Sequence, residues 1–255
     1  LFRSYVIGVD LGGTKISTAI STIEGNILAN VVLPTKAEEG EAAVLGRIVQ
    51  SIDEVIVGSS TSIDEIEAIG IGSPGPLDAK KGIIITTPNL PFKNYNLVQP
   101  LKEKYNIPVY LDNDANAAAI GEYMFGAGKG KNSIVYFTVS TGVGGGAVLD
   151  GKVYRGHTSN ALEIGHTTVD PNGPRCNCGN LGCLEAMSSG TAIAKKGKEA
   201  VSTNVETSLK KHDTVTSYEV FKEAEAGDEV AKDIIDNALT YLGIGVANAI
   251  ATFDP

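Results

Sequence analysis

Short apolar runs separated by polar turns fill the first third of the chain. Residues 5–9, 16–20 and 27–33 read as three strands, with turns at 10–13 and at Glu24-Gly25-Asn26. Their closeness in sequence predicts an antiparallel meander. Ala42, Leu45, Ile48, Val49, Ile52 and Val55 then recur at helical spacing. A buried-type strand at 68–71 runs into the turn Gly72-Ser73-Pro74-Gly75-Pro76, and a short strand at 82–86 precedes a loop at 87–93. Further on, the pattern predicts a helix near 97–105, a strand at 109–111 ending in Asp112-Asn113-Asp114, and an Ala-rich helix over 115–125. Residues 133–139 and 146–149 read as strands joined by a glycine-rich turn at 140–145, and Asp150-Gly151 as a hairpin turn into Val153-Tyr154. The remainder is helical in pattern, over 186–203, 217–226 and 228–252, with Asp228 as an N-cap. No repeat of 20–50 residues and no low-complexity linker interrupts it. Strands feed helices twice, each time through a glycine-rich turn. That predicts two α/β lobes around a cleft, which is a natural ligand site.

Composition narrows the possibilities. A chain of 255 residues with 42% apolar and 20% charged residues is long enough for a full core and has too many apolar positions for disorder. Its net charge of −9 argues against general nucleic-acid binding, which needs concentrated Lys and Arg. Any phosphate is then held by backbone N–H groups, a metal or a few placed cations. The first five residues show no signal-peptide pattern, and the longest uncharged helical stretch, 237–253, reads as too short and too polar for a membrane span. A cytoplasmic protein is expected.

Four segments carry candidate chemistry. Asp10-Leu11-Gly12-Gly13-Thr14-Lys15 lies between two strands, where glycines let a phosphate approach the backbone and Thr14 and Lys15 add a hydroxyl and a cation. A plain hairpin turn is the competing reading; the spacing is not that of a Walker A loop. Ser140-Thr141-Gly142-Val143-Gly144-Gly145-Gly146 repeats the pattern, and two such turns could clamp a nucleoside triphosphate through backbone donors. Asp112-Asn113-Asp114 suits a helix N-cap as well as a general base with a hydrogen-bonding neighbour. The strongest signal is Glu163-Ile164-Gly165-His166 followed by Cys176, Cys178 and Cys183 within eight residues. Three thiolates and an imidazole form the closed Cys3His set of a structural zinc site, whereas three cysteines cannot all pair within one chain. With four protein ligands the metal has no open position, so its expected task is to brace a loop. Glu163 and Glu185 flank the cluster and could accept hydrogen bonds from a polyhydroxylated ligand. His157, His212, Lys195, Lys196 and Lys210-Lys211 form no constellation and read as surface.

Taken together, DLGGTKI (10–16), GIGSPGP (70–76), LDNDANAAAIGE (111–122), STGVGGG (140–146), LEIGH (162–166) and CNCGNLGCLE (176–185) resemble the ROK family of repressors, open reading frames and sugar kinases. The resemblance covers essentially the whole chain. It implies an α/β protein with the actin-like ATPase (ribonuclease H-like) fold, two lobes and a cleft between them. The expected division is an N-terminal lobe over 1–113, with the first phosphate loop and part of a sugar site, and a C-terminal lobe over 114–255 with the zinc loop.

The activity implied is ATP-dependent phosphorylation of a hexose, most like the bacterial glucokinases. Asp114 would be the general base and Asp10 would act through Mg²⁺. Gly12, Gly13, Thr14 and Lys15 match the first phosphate loop; Thr141, Gly142, Gly144 and Gly145 match the second. Gly75, Asn89, Asn113, Asp114, Glu163, His166 and Glu185 fall where family members hold the sugar, and His166, Cys176, Cys178 and Cys183 match the zinc ligands. A homodimer or larger assembly is implied. Kinases of another hexose (fructose, mannose or an N-acetylhexosamine) and a non-catalytic sugar sensor are the alternatives. A regulator with a DNA-binding segment fits poorly, since nine residues precede Asp10. Two departures stand out. Family kinases continue past Phe253-Asp254-Pro255 into a Gly-Gly-Gly segment that touches adenosine. Before the Glu of E-x-G-H they carry small Gly/Ala residues, where this chain has Asn160-Ala161-Leu162.

Overall fold

A computed structural model describes residues 4–87 and 89–255. The first three residues, and with them part of the leader-free expectation, lie outside the described residues, as does Pro88 of the 87–93 loop. The chain forms two compact units, residues 1–131 with 152–161 and residues 132–151 with 162–255.

In the first unit, β1 (Tyr5–Leu11), β2 (Lys15–Thr22) and β3 (Ile27–Pro34) form the expected meander. β4 (Ile66–Ser73) and β8 (Val109–Asn113) add to the other side of β1 in parallel, giving the order β3-β2-β1-β4-β8. Strand alternation sends Ile7, Val9 and Leu11 to one face, against Val44, Ile48 and Ile52 of α1 (Glu41–Ser59). A buried Thr18–Ser51 hydroxyl bond of 2.7 Å satisfies the polar atoms in that layer. Three short strands, β5 (Leu77–Asp78), β6 (Ile83–Thr86) and β7 (Lys93–Asn96), make a small antiparallel sheet. Two helices, α2 (Val98–Tyr105) and α3 (Asp114–Phe125), complete the unit. Because α3 packs on β4 and β8, the expected boundary at 113/114 falls inside this unit, and the chain first leaves it at 131/132.

The second unit has the hairpin β9 (Ile134–Val139) and β10 (Val143–Leu149). β10 begins inside the glycine run, so the turn is shorter than the expected 140–145. Helix 186–203 is in fact two helices, α4 (Leu184–Ser188) and α5 (Gly190–Val201). The break is Ser189, whose extended backbone lets its side chain cap Ala192 N–H. α6 (Ser217–Glu225) and α7 (Glu229–Phe253) follow, and Asp228 is the N-cap of α7 as expected. α7 is 25 residues long and apolar enough to cross a membrane by length and composition, which corrects the shorter, more polar stretch read from sequence. It packs on α4, α5 and α6, burying Ala231, Ile235 and Ala238 with Ile193, Leu209 and Val220.

Lys211 and His212 are not idle surface. Both reach Glu223 of α6, which is 1% exposed, at 2.7 and 2.8 Å, and Ser208 Oγ donates to the same carboxylate. Lys211, Ser208 and His212 hold the Glu223 carboxyl well below the ordinary range, at about 2. Asp228 also falls to about 2: burial opposes this, but the N–H groups of Ala231 and Ser208 and the hydroxyls of Ser208 and Thr207 outweigh it.

Candidate active site and metal centre

In the first unit the site residues gather where parallel strands end. Asp10 of β1 is level with Gly72 of β4 and, through it, with Asp112 of β8. Carboxyl ends of parallel strands are where open α/β sheets bind ligands. Asn113 caps α3: its Oδ1 accepts the N–H groups of Ala115 and Asn116, so the capping reading holds for this residue. Asp114 is the first residue of the helix, its carboxylate exposed and accepting Ala115 N–H at 2.8 Å. Helix N-termini favour negative charge there. Asp10 and Asp114 line one pocket of about 900 Å³ with Lys80, Tyr110, Asp112 and Arg155. Asp10's carboxyl is pushed up by desolvation and then by the charge of Asp114, against a lowering by Lys15. A cation beside the pair would relieve that repulsion.

The turn 10–15 is shaped by a residue that the motif does not contain. Buried Thr35 donates its hydroxyl to Gly12 O at 2.6 Å, and its N–H to Thr14 O at 2.9 Å. Gly12 N–H closes the turn on Lys15 O at 3.0 Å. Gly13 is needed for close approach: a Cβ there would sit 2.6 Å from Asn89 Cβ. Two predicted site residues, Gly13 and Asn89, thus meet. Arg155 is a second residue that the motifs do not flag. Its Nε and Nη2 both lie 2.7 Å from Asp112 Oδ2, and Asn116 Nδ2 donates to the other oxygen at 3.0 Å.

In the second unit, Ser140–Gly142 is tied to the start of α5. Gly190 N–H donates to Ser140 O and Thr191 Oγ1 to Thr141 O, both at 2.8 Å. A pocket of about 820 Å³ opens beside this turn, lined by Thr141, Ser188, Thr191, Lys195, Lys198 and Phe221 among others. Lys195, read as plain surface from sequence, therefore faces a pocket. Ser188 is buried at its edge, and its hydroxyl has no hydrogen-bond partner.

His166, Cys176, Cys178 and Cys183 come together, with one ligand atom of each within 4.8 Å of all the others. Tetrahedral zinc at ordinary bond lengths has S–S edges of about 3.8 Å and S–N edges of about 3.6 Å. The Cys178–Cys183 Sγ separation is 3.6 Å and Cys176 Sγ to His166 Nδ1 is 3.7 Å, so the donor set fits that ion. The same separations are far from a disulfide, and all three cysteines are free. Burial pushes the Cys176 thiol up and that of Cys183 to about 12, while the N–H of Asn180 lowers Cys178. The other ring nitrogen of His166 lies 3.9 Å from Glu163 Oε2. Glu185 stands between cluster and loop: Oε1 is 3.9 Å from Cys176 Sγ and Oε2 accepts Val143 N–H at 3.0 Å.

Residues 6–255 match the model of the ROK family. The glucokinase of Thermotoga maritima is 40% identical, over 98% of this chain and 79% of that enzyme. A ROK family glucokinase from Streptomyces griseus, solved in complex with glucose and AMPPNP, is 32% identical with a TM-score of 0.79, over 98% of this chain and 80% of its own. The xylose repressor of Caldicellulosiruptor bescii is 33% identical, over 98% of this chain and 63% of the repressor. The chain belongs to the ROK family and has its actin-like ATPase fold.

Proposed function

We propose that this chain phosphorylates glucose with ATP, giving glucose 6-phosphate and ADP, with Asp114 as the general base. What supports the reading most is the geometry at Asp114, an exposed carboxylate at a helix start, beside Asp10 at the strand ends. Asp114 takes the proton of the hexose 6-hydroxyl as that oxygen attacks the γ-phosphorus. The new O–P bond forms while the bond to the β,γ-bridging oxygen breaks, and ADP leaves. Phosphoryl transfer asks mainly for positioning and charge neutralisation. Gly12, Gly13, Thr14 and Lys15 would hold phosphate through the first turn, and Thr141, Gly142, Gly144 and Gly145 through the second. Mg²⁺ bound near Asp10 would neutralise phosphate charge. The pocket beside the second turn suits the nucleoside.

Gly75, Asn89 and Asn113 in the first unit, and Glu163, His166 and Glu185 in the second, are assigned to hexose contacts. A structural zinc on His166 Nδ1 and the three cysteines would keep Glu163, His166 and Glu185 rigid. The enzyme is assigned to the cytoplasm, at the entry of sugar breakdown, as a homo-oligomer.

A coupled ADP-release assay with ATP, Mg²⁺, glucose, mannose, fructose and N-acetylglucosamine tests this. Turnover with glucose above the others is expected. Turnover confined to another hexose would reassign the substrate, and silence with glucose bound would make the chain a sensor.

A further inference from the structure

We infer that Asn160 is a specificity-determining residue of the hexose site, accepting a hydrogen bond from one sugar hydroxyl. The inference rests on the hexose-kinase reading and names a contact that the motifs do not contain. Residues 155–161 form a loop closed by Ala161 N–H on Arg155 O at 3.2 Å. Arg155 anchors the loop to Asp112, the residue just before the helix cap Asn113. The Asn160 amide is oriented from within the loop, because its Nδ2 donates to Thr158 O at 2.8 Å and to Thr158 Oγ1 at 3.3 Å. Its Oδ1 is therefore turned the other way.

There it faces the space above Gly75. A Cβ built on Gly75 would lie 3.6 Å from Leu77 N, 3.7 Å from Asn113 Nδ2 and 3.9 Å from Asn160 Oδ1. Asn113 spends its Oδ1 on the cap, so its Nδ2 is the end that faces this notch. A donor and an acceptor thus face one small space that a side chain at residue 75 would fill. A hydroxyl suits such a space, because it accepts from one group while donating to the other. An aliphatic or absent group there would leave two amide ends unpaired, which is how a site rejects a sugar lacking that hydroxyl.

The test is calorimetric binding of glucose, 2-deoxyglucose, 3-deoxyglucose and 4-deoxyglucose, without nucleotide, to the wild type and to Asn160→Ala and Asn160→Asp. Asn160→Ala is expected to weaken glucose about 5- to 10-fold, the loss of one hydrogen bond. For one deoxy sugar, already weaker with the wild type, the same substitution should change nothing, and this identifies the hydroxyl. Asn160→Asp loses the donor to Thr158 O and sets a carboxylate oxygen against that carbonyl, so it should weaken glucose as well. Equal losses for every sugar would mean that Asn160 only shapes the loop, and no loss for any would mean that it touches no sugar; either overturns the inference. Binding that follows the expected pattern without turnover would sink the kinase reading but keep this contact. Absence of binding by any of these sugars would sink both.

Discussion

At the scale of single residues, the proposed chemistry concentrates on Asp114. Asp114→Asn keeps the helix start and the carbonyl oxygen but cannot take a proton. We expect kcat to fall by about 10²- to 10⁴-fold, with glucose affinity measured by calorimetry changed by less than about threefold; unchanged turnover would remove Asp114 from the base role. The metal assignment is equally local. Cys178→Ser removes an exposed thiolate whose neighbour sulfur is 3.6 Å away, and elemental analysis should show zinc falling from one per chain to none. Zinc retained in that variant would break the ligand set. Legibility at this scale was uneven. The clustering of His166, Cys176, Cys178 and Cys183 was readable because these are rare residue types at short spacing. Thr35 and Arg155 were not, because a threonine bonding Gly12 from the far end of a meander and an arginine pairing with Asp112 leave no local pattern.

At the scale of elements, the segment between α5 and α7 rests on two low-lying carboxylates. Both Glu223 and Asp228 are depressed to about 2 from ordinary values of 4.5 and 3.8. Their contribution is therefore complete above about pH 5 and is lost as the pH falls through 4.5 toward 2. Thermal unfolding of wild type and Glu223→Gln should differ most at pH 6–7, and the two midpoints should converge as the pH drops to 3. A constant gap would mean that the side chain acts by packing and not by charge. The α4–α5 break belongs here too. The apolar periodicity runs through Ser189, so helix spacing alone predicted one helix; a serine that both stops α4 and caps α5 is an ambiguous letter in sequence.

For the whole molecule, the loop that carries the three cysteines has few buried apolar residues. It is held by two isolated bridges, Thr168–Cys183 and Arg175–Leu181, and by tight turns. Gly182 sits at φ 58°, and a Cβ there would lie 1.5 Å from Asp170 O. Gly182→Ala should cost more than about 2 kcal/mol by chemical denaturation. Chelation of the metal should lower the thermal midpoint, and the amide protection lost on hydrogen exchange should be confined to about residues 163–190. Protection lost equally across the β1–β4 sheet would instead make the metal a determinant of the entire fold.

The sequence by itself determined the class of this protein. Periodicity located the meander, α1, α3 and α7, and the glycine turns, the Asp112-Asn113-Asp114 step and the cysteine cluster pointed to the chemistry proposed, because each of these depends on residues near one another in the chain. Tertiary structure alone decided where the two units part, since α3 is assigned by what it packs against and not by its own letters. It also decided which polar groups share one small space. Asn160 became a candidate only when an arginine 43 residues away from Asp112 brought its loop over Gly75. Hydrogen bonds and ion pairs between distant residues are set by the packing of backbones, and no local pattern of letters encodes that.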